Sequence, residues 1–390
     1  VANRIPINPA VLTWARRTAG YKIDDLVANK QFSKIAKWES GDESPTYSQL
    51  EKLAEKFHRP IVVFFFPKPP PEEPVEKALR SVSESSVENL NPVIHYLFRK
   101  AKVFQLSLAE LFEGQEEIQK HRLSWLTQAG AIESSSFAER FRSILDVSIE
   151  EQQSWQGSDD AFKEWRRRLA LRGVFVFKDA FKNTEVSGFC VYDDLFPIIF
   201  INNSHPKNRQ IFTLFHELCH LLLKQSFLDI MTEQSWLANQ VHLGKEESLC
   251  NSLASEILVP VEHLISQVGS LPVDNTLVDQ LADSYHVSSE VIARKLLDQG
   301  LVSRRSYEGM IHEWYSIRER AAAETDKSSG NYYNTKSSYL GDSYISVVLR
   351  NYYQGKIDIV QASDYLDIKP KSFPGLEEKF LERAKVDVYL

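Results

Sequence analysis

The chain has 390 residues, 43% of them hydrophobic and 25% charged, with a net charge of -7 at pH 7. This is ordinary globular composition, sufficient for about two to four domains, and it excludes a molecule that is basic as a whole. Any nucleic-acid contact must therefore come from a local patch.

Residues 1–67 read as a compact helical unit. Asn8-Pro9 has the form of an N-cap followed by proline at the first helical position. Val11, Leu12, Trp14 and Ala15 continue that helix towards Gly20. Ile23, Leu26 and Val27 suggest a second helix, opened by Asp24 and Asp25. Ser33 is a candidate cap for a third carrying Ile35, Ala36 and Trp38, ended by Gly41, and a fourth starts near Ser48 with Leu50, Leu53, Ala54 and Phe57. Trp38-Glu39-Ser40-Gly41, then Pro45-Thr46, Leu50 and Leu53-Ala54, resembles the Xre/Cro-type helix-turn-helix family. That resemblance implies a recognition helix over about 31–40, with Lys34 and Lys37 as DNA contacts. Residues 1–66 hold ten Lys/Arg against seven Asp/Glu, a surplus of three. Such a balance suits protein docking as well as DNA binding.

Residues 61–66 form the longest apolar run, read as a short buried strand or packing strap and too short to cross a bilayer. The first residues carry no apolar signal-like segment. Cys190, Cys219 and Cys250 make no C-x-x-C pair. Together these features give the expectation of a cytoplasmic protein without membrane contact. Pro67 to Pro74 then reads as a stiff linker, with polar loop continuing to about residue 91. Helices are expected over 93–112, 134–145 and 159–171, the last with Trp165 and Leu169 inside and Arg166, Arg167 and Arg168 outside.

At Gly173 the apolar period changes from helical to alternating. Strands are expected over 174–177, 186–192 and 197–201, with 186–192 at a sheet edge where a peptide can be held by strand addition. Phe212 to Lys224 follows, apolar nearly all round and hence expected to be buried. It contains His216-Glu217-Leu218-Cys219-His220, the pattern H-E-x-x-H. On a helix, positions i and i+4 share a face, so His216 and His220 can close on one zinc ion, with Glu217 beside it as general base. Downstream, residues 227–243 read as loop with a short helix, 245–259 as a strong helix stopped by Pro260, and 276–297 as a helix pair. Residues 304–325 read as a charged helix, 326–338 as a mobile polar stretch, and the remainder as two or three short helices.

Catalytic zinc takes three protein ligands. Asp229, Glu233, His242, Glu246, Glu247, Glu256 and His263 are the candidates for the third, and periodicity does not separate Glu246 from Glu247. The segment 212–221, followed by Glu247-Ser248-Leu249-Cys250-Asn251-Ser252-Leu253-Ala254 and Leu258-Val259-Pro260, resembles the ImmA/IrrE family of metallopeptidases. The family pattern there is Glu-x-x-Ala-Asn-x-Phe-Ala, and matching it implies Glu247 as the third zinc ligand. Cys250 stands where alanine is usual and Leu253 where phenylalanine is usual, both read as packing positions. Cys219 is read as a small core residue. Gly188-Phe189 and the run from Pro197 to Asn202 also fit the family.

The expected fold is α+β. It comprises a helix-turn-helix domain (1–67), a linker (68–91), a helical connection (92–158), a zincin-like zinc peptidase domain with a small sheet on the H-E-x-x-H helix (159–300), and a helical C-terminal region (301–390). The resemblance implies a regulatory endopeptidase that cuts a specific protein partner, such as a repressor of stress, phage or mobile-element genes. His205, Tyr192 and His242 are candidates for steadying the oxyanion. The competing expectation is a DNA-binding regulator or antitoxin-like protein, partnered by a toxin, whose peptidase fold is structural or sensory.

Overall fold

The structure, a computed structural model, describes residues 4–72, 75, 90–128, 136–183, 185–230, 245–322 and 331–387. Among these residues it is α+β: mostly helical, with one small mixed sheet. The chain divides into two compact units, Val1–Val103 with Phe181–Asn183, and Phe104–Ala180 with Thr184–Leu390.

The first unit holds α1 (Pro9–Thr18), α2 (Ile23–Val27), α3 (Ile35–Ser40) and α4 (Tyr47–Phe57). Asn8 caps α1 by accepting from the Ala10 amide at 3.0 Å. The cap of α3 is Lys34, not Ser33, whose hydroxyl donates to the Lys30 carbonyl. Gly41 ends α3 at φ +84°, a left-handed conformation that glycine adopts without steric cost. Thr46 and Gln49 form a capping box at α4. Leu12, Trp38, Leu53 and Phe57 meet in the core. Beside them Arg16 donates to both oxygens of Glu39, at 2.6 and 3.0 Å.

The expected strand at 61–66 is instead a 3-10 helix, Ile61–Phe65. Among the described residues it has no strand partner to satisfy its amides, and it closes i to i+3 bonds instead, Val63 to Pro60 and Phe66 to Val63. Only Phe64 is buried there, whereas Val62, Phe65 and Phe66 are exposed. The start of the proline segment is tethered to this unit, because Asn8 donates to the Phe66 and Pro67 carbonyls and Arg59 pairs with Glu72.

The remaining helices before the sheet are α5 (Pro92–Leu111), α6 (Glu116–Gln128), α7 (Phe137–Leu145), α8 (Ile149–Ser154) and α9 (Ser158–Leu171). The strands are β1 (Phe175–Asp179), β2 (Val186–Val191), β3 (Ile198–Asn202) and β4 (Phe227–Ile230), with α10 (Lys207–Leu222) between the last two. The sheet order is β1-β3-β2-β4, parallel between β1 and β3 and antiparallel elsewhere. Residues 186–191 are therefore not at an edge. β2 is hydrogen-bonded on both sides, and the strand formed by 227–230, expected as loop, covers its outer flank. The rest of the expected 227–243 loop lies outside the described residues.

Then follow α11 (Lys245–Leu258), α12 (Val261–Val268), α13 (Asn275–Tyr285), α14 (Ser289–Asp298), α15 (Arg304–Ala322), α16 (Tyr332–Leu340), α17 (Asp342–Tyr353), α18 (Ile359–Tyr365) and α19 (Phe373–Asp387). Residues 332–338 are thus helical, not a mobile stretch. Asn331 caps α16 by accepting from the Tyr333 amide at 2.9 Å, and Ser337 and Leu340 are buried.

Within the second unit the sheet lies between two helical layers. α9 and α10 pack on one face, where Val176, Cys190, Ile199 and Ile201 join Trp165 and Leu214 in one core. The other face is aromatic. Phe104 of α5 stacks on Phe177 at 4.3 Å, and Tyr344 of α17 meets Phe177 edge-on at 5.1 Å. The C-terminal helices are therefore the second cover of the sheet. Arg166 fastens them. Helix periodicity puts it outside, but it is buried and donates to the carbonyls of Val176, Ser338 and Tyr339. Three carbonyls at the end of one side chain satisfy a guanidinium that helix periodicity alone would leave in solvent.

Candidate metal centre

α10 carries H-E-x-x-H through the centre of the second unit. Gln210 to Leu222 are all buried, including His216, Glu217 and His220. Two imidazoles and a carboxylate there require polar partners. α11 lies alongside α10 and supplies them to the two imidazoles. Its far end is held from α7 and α8: Arg142 donates to the Ile257 carbonyl at 2.8 Å, and Gln152 to the Leu258 and Tyr285 carbonyls at 3.1 and 2.8 Å. These bonds satisfy carbonyls that a helix leaves open at its C-terminus, and they fix the position of α11.

Glu247, in the first turn of α11, meets both histidines. Its Oε1 lies 3.2 Å from His216 Nε2 and its Oε2 lies 3.5 Å from His220 Nε2. The two Nε2 atoms are 3.1 Å apart. Among the described residues this is the one group of three or more His, Cys, Asp or Glu side chains that converges in this way. Tetrahedral coordination at zinc-ligand distances of about 2.0–2.1 Å places its donors roughly 3.3 Å apart. The observed separations fit that figure, and the donor set of two imidazole nitrogens and one carboxylate fits zinc chemistry.

Three of the other candidates for the third position have partners elsewhere. Glu246 accepts from Gln225 at 3.0 Å. Glu256 pairs with Lys295 and accepts from the Val261 amide. His263 Nδ1 is 2.6 Å from the Tyr285 hydroxyl. Asp229 lies on β4 opposite Gly188, and Glu233 and His242 lie outside the described residues. Of the oxyanion candidates, Tyr192 donates to Asp194 at 2.7 Å. His205 precedes α10, roughly 15 Å of helix rise from His216.

The remote ring nitrogens also have partners, and both stand on α11. His216 Nδ1 is 2.9 Å from Asn251 Oδ1. His220 Nδ1 is 3.7 Å from Cys250 Sγ. From the sequence Cys250 reads as a packing position, and Asn251 has no task there. Their signal was the shared helix face, i+3 and i+4 from Glu247. Phe227 of β4 lies flat on the His220 ring, 3.5 Å between centroids at 8°. Glu217 sits one residue on from His216, fully buried. Gly188 of β2 leaves it room, since a methyl group there would stand 2.7 Å from Thr213 Cγ2 and 3.4 Å from Glu217 Cγ.

Taken alone, the protein groups hold the two imidazoles in different states. Burial pushes His216 down to about 4, with Glu247 opposing. For His220 burial works the same way, but the Cys250 and Glu247 side chains outweigh it and hold it up at about 9. Burial also works against a charged Glu247, yet His220 and His216 keep its carboxyl below the usual range. The cluster thus sets the Glu247 carboxylate against one imidazole that burial keeps neutral and one that its neighbours favour in the protonated form. The Cys219 thiol and burial raise Cys250, which stays a neutral thiol.

Lys34 and Lys37 of the first unit both pair with Glu43, at 2.7 and 3.1 Å, and Arg4 reaches the same carboxylate at 3.3 Å. The two lysines hold the Glu43 carboxyl down at about 2. Among the described residues no helix is long and apolar enough to cross a membrane.

Comparison with curated proteins gives no match. Residues 170–297, which contain both helices of the His-His-Glu cluster, match the family model Peptidase_M78, described as the IrrE N-terminal-like domain, and in that part the chain is similar to the ImmA/IrrE metallopeptidases.

Proposed function

We propose that the chain is a regulatory zinc endopeptidase that hydrolyses a peptide bond in a specific protein partner, such as a repressor of stress, phage or mobile-element genes. The observation that carries this reading is the convergence of His216, His220 and Glu247 donor atoms at 3.1–3.5 Å beside a buried Glu217. His216, His220 and Glu247 are the residues that would hold zinc. When bound, zinc supplies Lewis acidity, which polarises a peptide carbonyl and lowers the pKa of water. Glu217 takes the proton of the attacking water on its carboxylate and passes it to the leaving amine. Asn251 fixes the His216 ring from its Nδ1 side. A site used only for binding has no need of Glu217.

The first unit reads as an Xre/Cro-like helix-turn-helix that docks the protein partner. The ion pairs of Lys34 and Lys37 with Glu43 favour docking over DNA binding, because an acidic group stands where phosphate would approach. The test is mass spectrometry of neighbouring gene products incubated with wild type and with Glu217→Gln, alongside metal analysis of both. Zinc in both proteins and cleavage by wild type alone support the reading. Regulation in cells that survives Glu217→Gln untouched would reject it.

A further inference from the structure

We propose that Cys250 is a positioning residue of the metal centre, fixing the rotation of the His220 ring. The inference rests on the metal-site reading above and concerns how this chain presents one ligand.

Phe227 lies parallel to the His220 ring at 3.5 Å between centroids. Stacking fixes the plane of a ring but not its orientation within that plane. A half-turn about the Cβ–Cγ bond keeps the plane and exchanges Nδ1 with Cδ2 and Nε2 with Cε1. After such a turn a carbon would stand where Nε2 now faces Glu247 Oε2 at 3.5 Å. Glu247 and His216 discriminate against that turn from the metal side, and a partner that distinguishes nitrogen from carbon on the far side removes the ambiguity before a metal arrives. Cys250 Sγ, 3.7 Å from Nδ1, is that partner. An imidazole that gives Nε2 to a metal carries its hydrogen on Nδ1, and that N–H then donates to the sulfur.

The arrangement at the other histidine is the same in kind. Asn251 Oδ1 marks Nδ1 of His216 at 2.9 Å. One turn of α11 therefore supplies a ligand and an orienting group for each of the other two ligands. Cys219 is also buried, but its neighbour is the Cys250 thiol, not a ring nitrogen. It provides a control for the loss of a buried sulfur near the site.

The test measures zinc affinity of the full chain by competition with a chromophoric chelator, and records the visible spectrum of the cobalt-loaded protein. The variants are Cys250→Ala, Cys250→Val, Cys250→Ser and Cys219→Ala, and thermal unfolding of each metal-free form checks folding. Cys250→Ala and Cys250→Val are expected to weaken zinc binding about 10–100-fold and to alter the cobalt spectrum. Valine fills the space without an acceptor, so it answers the question if the alanine variant fails to fold. Cys250→Ser, which keeps an acceptor, should stay within a few-fold of wild type, and Cys219→Ala should match wild type. Wild-type zinc affinity in Cys250→Ala or Cys250→Val overturns the proposal, as does an equal loss in Cys219→Ala. A wild-type protein that takes up no zinc overturns the metal-site reading and this inference with it.

Discussion

Gly188 and Glu217 are packed so closely that a single methyl group on Gly188 would stand 3.4 Å from the Glu217 side chain and 2.9 Å from the Phe200 carbonyl oxygen. The backbone of β2 thus forms the wall against which the buried carboxylate is held. Gly188→Ala should force α10 away from the sheet. Overpacking of this kind costs about 1–3 kcal/mol, measurable by thermal unfolding, and cleavage should fall further than stability alone explains.

Glu217→Gln and Glu247→Gln should separate chemistry from binding. The first replaces the proton acceptor without touching the cluster. Metal content should be unchanged, while cleavage of the partner falls by on the order of 10²–10⁴. The second weakens one of the three ligands, and metal analysis should show substoichiometric zinc. Equal zinc loss in both variants would contradict the assigned roles.

Arg166→Met should loosen the C-terminal helices. Its guanidinium serves Val176, Ser338 and Tyr339 carbonyls, and Gly341 stands against it at φ +83°. Removing it leaves buried carbonyls without donors, at a cost of about 3 kcal/mol. Limited proteolysis should then cut residues 331–387 earlier than in wild type, with the cleavage sites read by mass spectrometry.

Lys178 gives a pH signature. It lies on β1, buried against Phe162, and burial, helped by Lys207 and Arg166, pushes it from 10.5 down to about 6. Between those two values the unfolded chain holds a proton there that the folded chain does not. Its contribution to stability therefore rises with pH across that window, by up to about 1.4 kcal/mol per unit. Lys178→Met should be more stable than wild type at neutral pH. That advantage should shrink towards pH 10, as measured by denaturant unfolding over a pH series.

Glu43→Gln tests the docking surface of the first unit. It releases Lys34, Lys37 and Arg4 from a shared carboxylate. Duplex DNA should bind the variant more tightly than wild type, with a log-log salt dependence steeper by about 1–3. Tight, sequence-selective binding by wild type that Lys34→Ala abolishes would instead favour a DNA reader.

The sequence by itself determined the local features: H-E-x-x-H on an apolar helix, the capped helix at Asn8, and the change to strand periodicity after Gly173. Each depends on a few neighbouring residues and on a period of 3.6 or 2. Periodicity leaves Glu246 and Glu247 equivalent, and only the resemblance to a family pattern separates them. What only the tertiary structure decided are matters of long-range pairing. Strand order put 186–191 inside the sheet because 227–230 pairs with its outer flank. Arg166 went inward because carbonyls from 172 and 173 residues further along the chain arrive to receive it. Cys250 changed from a packing residue to the neighbour of a histidine nitrogen because α10 and α11 come side by side. Periodicity says which face of an element is buried. It does not say what that face will meet, and in this protein the partners of His216 and His220 are set by that meeting.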